Sequence, residues 1–479
     1  MHPDRGRLRL TLAVLAVSTL QGCSAHLFHR HPNLGELYER SAQAHGPQQN
    51  PVIVIPGLTG SRLVDSLSGR TVWGAFSGNY AKPNRPDGAR LIALPMRPGV
   101  PLEELRDGVK PNGVLERIKV SFAGLPLHLK AYFQILSTLG AGGYRDESLA
   151  EADQVDWGDY HFTCFQFDYD WRRDNVESAR RLHEFIQEKR AYVRREILSQ
   201  YGVDPVELKF DIVAHSMGGL LLRYYLRYGA AELPAEGPLP ELTWAGAANV
   251  ERAVLVAPPN AGSLEALTQL VEGQDYGPFL ARYPPAVLGT FPAAYQMLPR
   301  ARHRPLAWSG GAEATADLFD VELWQTLQWG LASPTQEEVL AWLLPDVPDA
   351  AERREIALDH LRKSLARAHR FVEAIDRPAR PPEGLQLFLL AGDSVPTART
   401  VEVTRDTGRL RVLKRAPGDG SVLRSSALMD ERETGDWTPG LDSPVVWDEV
   451  MFLFKGHLGL TKDPVFTDNL LYWLLEDPR

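Results

Sequence analysis

Ser216 sits in the run Phe210 to Leu220, FDIVAHSMGGL, where a short apolar, β-branched stretch stops at the serine and gives way at once to two glycines and a helical pattern. This reads as a strand, a sharp turn and a helix with a serine at the bend. A serine hydroxyl is a poor nucleophile unless the backbone thrusts it out of the fold toward a base, and a strained strand-to-helix turn does that. The usual signature is Gly-x-Ser-x-Gly. Here Ala214 takes the first position and Gly218 the last, both small enough for the helix start to press on the strand end.

Such a serine needs a base, and the base needs a carboxylate to fix its tautomer. In α/β-hydrolases the chain order is serine, acid, histidine. Downstream of Ser216 the chain offers Asp419 in the loop APGDGS and His457 where the apolar run Phe452 to Phe454 ends in Lys-Gly-His. Asp393, two residues beyond another strand-like run, is a rival acid. Each of these has a plainer reading: Gly-Asp-Gly is a common turn, and a loop histidine is often a solvated one. Their order, and their setting at three strand ends, is what joins them into one candidate site.

The surrounding pattern supplies the scaffold. Val52 to Ile55 (VIVI) is an apolar run of strand length that breaks at Pro56-Gly57, so a buried central strand opening into a glycine-rich loop is expected. Apolar positions from Leu182 to Ile197 repeat at helical spacing, predicting an amphipathic helix over 178–200. Further buried strands are expected at 253–257 and 385–391, a long helix at 354–375, and a final helix after Asp463-Pro464. Strands alternating with helices predict a mostly parallel α/β sheet. Residues 70–102, rich in Pro, Gly and Arg, show no sustained period and read as an excursion from the core. The expected organisation is a core over 51–265 and 385–479, with the interval between them including a helical cap over 301–384.

The chain has 479 residues, 44% hydrophobic and 24% charged, an ordinary soluble composition. Its N-terminus differs: Arg5, Arg7 and Arg9 flank an apolar run from Leu8 to Leu20, too short for a typical membrane span, which reads as an export signal. The run closes on Leu-Gln-Gly-Cys, similar to a bacterial lipobox, so residues 1–22 are expected to be a signal peptide, Cys23 the lipidated anchor and 23–50 a tether. Ser24 after the cysteine, rather than aspartate, favours the outer membrane in an organism with two membranes. Removing residues 1–22 takes away three arginines and Asp4 and moves the formal charge from −9 to −11, which argues against nucleic acid as a partner. With Cys23 lipidated, Cys164 is the one cysteine left, so no intrachain disulfide is expected. Histidines do not cluster at metal-ligand spacing, there is no phosphate-cradling glycine loop, and no cofactor is expected.

Eight short segments in one order resemble the lecithin:cholesterol acyltransferase family, which includes lysosomal phospholipase A2-like enzymes and phospholipid:diacylglycerol acyltransferases. They are Pro51 to Leu63, Gly143 to Asp146, Asp168 to Arg172, Ala214 to Gly219, Ala257 to Ser263, Pro396 to Thr400, Gly418 to Val422, and His457-Leu458. The resemblance implies an α/β-hydrolase fold, Ser216 as nucleophile, Asp419 rather than Asp393 as acid, His457 as base, and an oxyanion hole formed by the N–H groups of Leu58 and Met217. It also implies a lipid-ester substrate, with 266–300 as lid and 70–102 as membrane-contacting region. The chain departs from the animal members in lacking their cysteines in that region and near the acid. A small-ester esterase and a catalytically silent lipid-binding lipoprotein are the alternatives.

Overall fold

The computed structural model describes residues 33–44, 46–75, 80–115, 117–122, 125–130, 132–275, 281–310 and 316–478. The signal peptide and Cys23 lie outside these residues, as do 76–79 of the expected membrane-contacting region and 276–280 of the expected lid.

Six strands build the central sheet: β1 (Val52–Ile55), β2 (Cys164–Gln166), β3 (Phe210–His215), β4 (Val250–Val256), β5 (Gln386–Gly392) and β6 (Glu449–Leu453). Their order across the sheet is β6-β5-β4-β3-β1-β2, and every adjacent pair is parallel. One register row runs Val54, Val213, Val254, Phe388, Glu449. Continuous apolar runs such as VIVI follow from this, because a parallel sheet is covered on both faces.

Alternation along the strands divides the core in two. Ile53, Ile55, Ile212 and Ala214 face one layer, shared with helices α1 (Asn175–Tyr201), α2 (Met217–Tyr228) and α4 (Ala350–Asp376). Val52, Val54, Val213 and Val254 face the other, shared with the helix Phe133–Ala141 and the final helix α5 (Pro464–Leu475). The architecture is thus α/β, a parallel sheet between two helical layers. Arg252 of β4, fully buried, ties α5 to the sheet through Gln386 Oε1 at 2.8 Å and the carbonyls of Trp473, Asp477 and Pro478.

Helices run longer than their apolar periodicity because capping sets their ends. Asp174 accepts from Val176 N at 3.2 Å and starts α1 ahead of residue 178, and left-handed Gly202 stops it. Asp349 does the same for α4 through Glu352 N at 2.8 Å. Helix α3 (Leu264–Glu272) and the short helices Pro285–Leu288 and Pro292–Tyr295 lie where a lid was expected. The stretch 70–102 is not wholly an excursion: it contains the strand Thr71–Trp73 and the helix Pro86–Ile92, and Trp73, Ala89 and Ile92 are buried in the main core. Its pattern was illegible because these elements are too short to show a period. The expected tether reaches the body as well, with Tyr38 buried and its hydroxyl donating to Asp468 O of α5 at 3.1 Å.

The tightest joint lies where α2 meets the end of β1. A Cβ on Gly218 would stand 2.6 Å from Pro56 O and 2.9 Å from Ile55 Cγ2, the first of which is backbone and cannot swing aside. Gly218→Ala should therefore lower stability by about 1–3 kcal/mol through overpacking. Thermal unfolding of the two proteins checks it, and an unchanged midpoint would contradict the close packing of this joint.

Candidate active site

Ser216 follows β3 directly and precedes α2, with φ 53° and ψ −126°. A non-glycine residue at positive φ is strained, and here the strain is held by what surrounds it. Ser216 N donates to Val256 O of β4 at 2.8 Å, while Gly57, Gly218 and Gly219 each pack so closely that a Cβ would fall under 3.0 Å from Ser216, Pro56 and Pro258 respectively. The bend lifts the serine side chain clear of the sheet at the carboxyl ends of the strands, where ligands bind in open α/β sheets.

His457 follows β6 by four residues, and its Nε2 lies 3.0 Å from Ser216 Oγ. Its Nδ1 lies 2.8 Å from Asp419 Oδ2. The geometry reads as Ser216 O–H donating to Nε2 and Nδ1–H donating to the carboxylate. Asp419 is almost wholly enclosed, its side chain 1% exposed against 16% for His457. Its other oxygen accepts from the N–H groups of Ser421 at 3.0 Å and Val422 at 2.7 Å, and its own carbonyl receives His457 N–H at 2.9 Å. The Gly-Asp-Gly turn is itself fixed by Thr397, whose hydroxyl accepts from Gly420 N at 2.8 Å and donates to Val395 O at 2.9 Å. Burial would push the His457 pKa down, but the charge and hydrogen bond of Asp419 outweigh it, and the net position is above the ordinary histidine value. Asp393 stands apart from this row: its nearest ionic partner is Arg424 at 4.0 Å.

The N–H groups of Leu58 and Met217 have no hydrogen-bond partner among the described residues. Met217 is the first residue of α2, where helical N–H groups are left without internal acceptors and the helix dipole favours negative charge. Leu58 belongs to a loop braced from several sides. Tyr169 Oη donates to Pro56 O at 2.9 Å, Trp171 Nε1 to Ser61 O at 3.0 Å and Trp73 Nε1 to Thr59 O at 2.7 Å. The Asp168 to Arg172 segment thus holds this loop. The Ala257 to Ser263 segment links the opposite rim, with Ser263 Oγ donating to Ser421 O at 2.6 Å and Asn260 Nδ2 to Ala427 O at 2.7 Å.

Ser216 and His457 open into a cavity whose walls include Leu58, Ala266, Met297 and Leu458. Next to it, sharing Leu58, Thr59, Ala266, Gln269 and Met297, is a narrow apolar recess. Edge-to-face rings line it: Trp73 and Trp171 have centroids 5.6 Å apart, and Trp171 and Phe291 5.7 Å. Among the described residues no cluster of potential metal ligands occurs. Sequence reasoning did not single out Thr397, Tyr132 or His215. The last stands beside Ser216 in the motif itself, but nothing in a linear string distinguishes a core histidine from one facing a site.

Residues 131–327 match the sequence model of the lecithin:cholesterol acyltransferase family. A chain of the Tle4-Tli4 complex, known from its crystal structure, aligns with a TM-score of 0.55 at 15% identity, covering 88% of this chain and 97% of that one. Phospholipase PlaB from Legionella pneumophila aligns with a TM-score of 0.21 at 12% identity, covering 52% of this chain and 34% of its own. The first likeness is one of fold. No curated protein matches the chain.

The pairing of His457 with Asp419 has a direct readout. In an NMR titration His457 should change protonation above the ordinary value of about 6.5. Asp419→Asn should move that midpoint downward, because burial then acts without the opposing carboxylate. A midpoint unmoved by the substitution would show that the carboxylate does not govern His457.

Proposed function

We propose that the chain, whose residues 131–327 match the sequence model of the lecithin:cholesterol acyltransferase family, transfers an acyl group from a lipid ester through an acyl-enzyme on Ser216. The observation that carries this reading is the hydrogen-bonded row from Ser216 through His457 to Asp419, opening on a cavity with apolar walls.

Ser216 Oγ attacks the ester carbonyl carbon as its proton passes to His457 Nε2. The imidazolium that forms is held by Asp419, which keeps Nδ1–H in place. The tetrahedral oxygen takes hydrogen bonds from the N–H groups of Leu58 and Met217. Removing one such donor typically lowers turnover by about 10²–10³. As the intermediate collapses, the alkoxide leaves with the proton from Nε2, and the acyl group stays on Ser216. A second alcohol or water repeats the steps in reverse, giving a new ester or a free fatty acid.

The cavity over Ser216, walled by Leu58, Ala266, Met297 and Leu458, suits the acyl chain, since burying apolar surface there gains roughly 25 cal/mol per Å². The export signal and a lipidated Cys23 would hold the cavity mouth at the surface of a bacterial envelope membrane, probing its lipids without spanning it. Among the described residues no helix is long and apolar enough to cross a membrane.

Three outcomes test the proposal. Incubated with phospholipid vesicles containing a sterol or diacylglycerol, the protein should release lysophospholipid together with free fatty acid or a new acyl ester, read by mass spectrometry, and Ser216→Ala should abolish this. Turnover should rise along a single ascending limb with a midpoint above about 6.5, because His457 must be neutral to accept the proton. Ala266→Trp should narrow the cavity and shift preference toward shorter acyl chains by about 10-fold. Cleavage of soluble esters with no gain on vesicles would point to a small-ester esterase. Lipid binding with no turnover of any ester would point to a silent binding protein.

A further inference from the structure

We infer that Tyr132 and His215 form a buried strut that positions the Gly57-Leu58 turn against Ser216. Tyr132 Oη accepts the Gly57 N–H at 2.8 Å and lies 3.0 Å from His215 Nδ1, so one phenol ties the loop after β1 to the last residue of β3. The inference rests on the acyl-transfer reading, because what the strut positions is the Leu58 donor.

The hydrogen-bond inventory assigns the protons. Gly57 N–H can only donate, so it occupies a lone pair of Oη and is not free for an oxyanion. That leaves Leu58 as the donor of this turn. The phenol has one proton, and among the described residues its one remaining partner is His215 Nδ1. Were Nδ1 protonated instead, Oη would accept twice and its own proton would have no acceptor. Tyr132 therefore donates to a bare Nδ1, and the His215 proton resides on Nε2. That buried N–H has no side-chain partner among the described residues, and the main chain of His457 acts on the His215 ring in the direction that favours its protons.

The placement gives the strut its consequence. A Cβ on Gly57 would stand 2.8 Å from Ser216 Cβ, so the turn rests directly on the serine, and any shift of Gly57 carries Leu58 with it. The His215 ring lies 4.9 Å from that of His457, tilted by 46°. Burial and the neighbouring His457 lower the His215 pKa to about 3, against the pull of Asp419, and burial raises that of Tyr132. The strut is thus neutral across the working pH range and places no second positive charge beside the base. Tyr132 and His215 are positioning residues, acting through the turn they hold.

The test compares the unmodified protein with Ser216→Ala, Tyr132→Phe, His215→Leu, His215→Asn and the double variant Tyr132→Phe/His215→Leu, on p-nitrophenyl butyrate, with thermal unfolding as the check on folding. Tyr132→Phe and His215→Leu should each lower kcat by about 10- to 100-fold with KM little changed, as expected when an oxyanion donor is misplaced rather than removed. His215→Asn, whose amide oxygen can replace Nδ1 as acceptor, should recover most of that loss. The double variant should cost little more than the worse single one, because both act through one chain of bonds. Full kcat in a folded Tyr132→Phe, or losses that multiply in the double variant, would overturn the strut while leaving the serine reading intact. Activity retained by Ser216→Ala would instead remove the reading on which it rests. Should the variants fail to fold, nitrogen-15 NMR of the unmodified protein decides: the His215 ring should carry its proton on Nε2 and stay neutral from pH 5 to 8, and a proton on Nδ1 would refute the assignment.

Discussion

The strained backbone of Ser216 is the constraint on which the rest of the site depends. Its positive φ costs free energy of order 1–3 kcal/mol and persists only where the surroundings over-determine it. They do so from three directions. The β4 carbonyl of Val256 holds its N–H, the glycines of α2 let the helix start close on the ends of β1 and β4, and Gly57 lies on the serine itself. A side chain at any of these glycines would push the bend away from the strand ends, and with it both the hydroxyl and the Met217 N–H.

A second level of order fixes the partners. His457 and Asp419 come from loops 38 residues apart in sequence, and His457 lies 241 residues beyond the serine. Closing such long loops costs conformational entropy, which the parallel sheet offsets by placing the carboxyl ends of β3, β4, β5 and β6 in one row. Asp419 is then held by two backbone donors and by the turn that Thr397 fixes, so its orientation owes little to the freedom of its own rotamer. The loop after β1 is braced by Tyr169, Trp171, Trp73 and Tyr132, four aromatic residues whose polar tips meet backbone groups. Preorganised donors of this kind need little rearrangement when charge develops.

The same economy governs the buried charges. Arg172 meets Asp170 and Asp107, and Arg300 meets Asp376, whereas Arg223 and Arg227 donate to the carbonyls of Ile375 and Arg377 at the end of α4. The negative end of a 27-residue helix gives those two guanidinium groups a counter-field where no carboxylate is bonded. These groups join layers and loops that apolar packing alone would leave free to slide.

How much of this was legible in the string follows from the range of each interaction. Local patterns determined the strands VIVI and AVLVA, the helices of α1 and α4, the strand-turn-helix at Ser216 and the glycines that such a bend demands, because period and backbone freedom are properties of neighbouring residues. Type and order brought forward Ser216, Asp419 and His457 as a set, although the residues alone left Asp393 in contention. Tertiary structure decided that Asp419 reaches His457 while Asp393 turns to Arg424, that short elements within 70–102 enter the core, and that Tyr38 docks on α5. It also decided that Tyr132 and His215, 83 residues apart, share a hydrogen bond beneath the serine. Such pairings depend on where two distant backbones meet, and no local propensity encodes that distance.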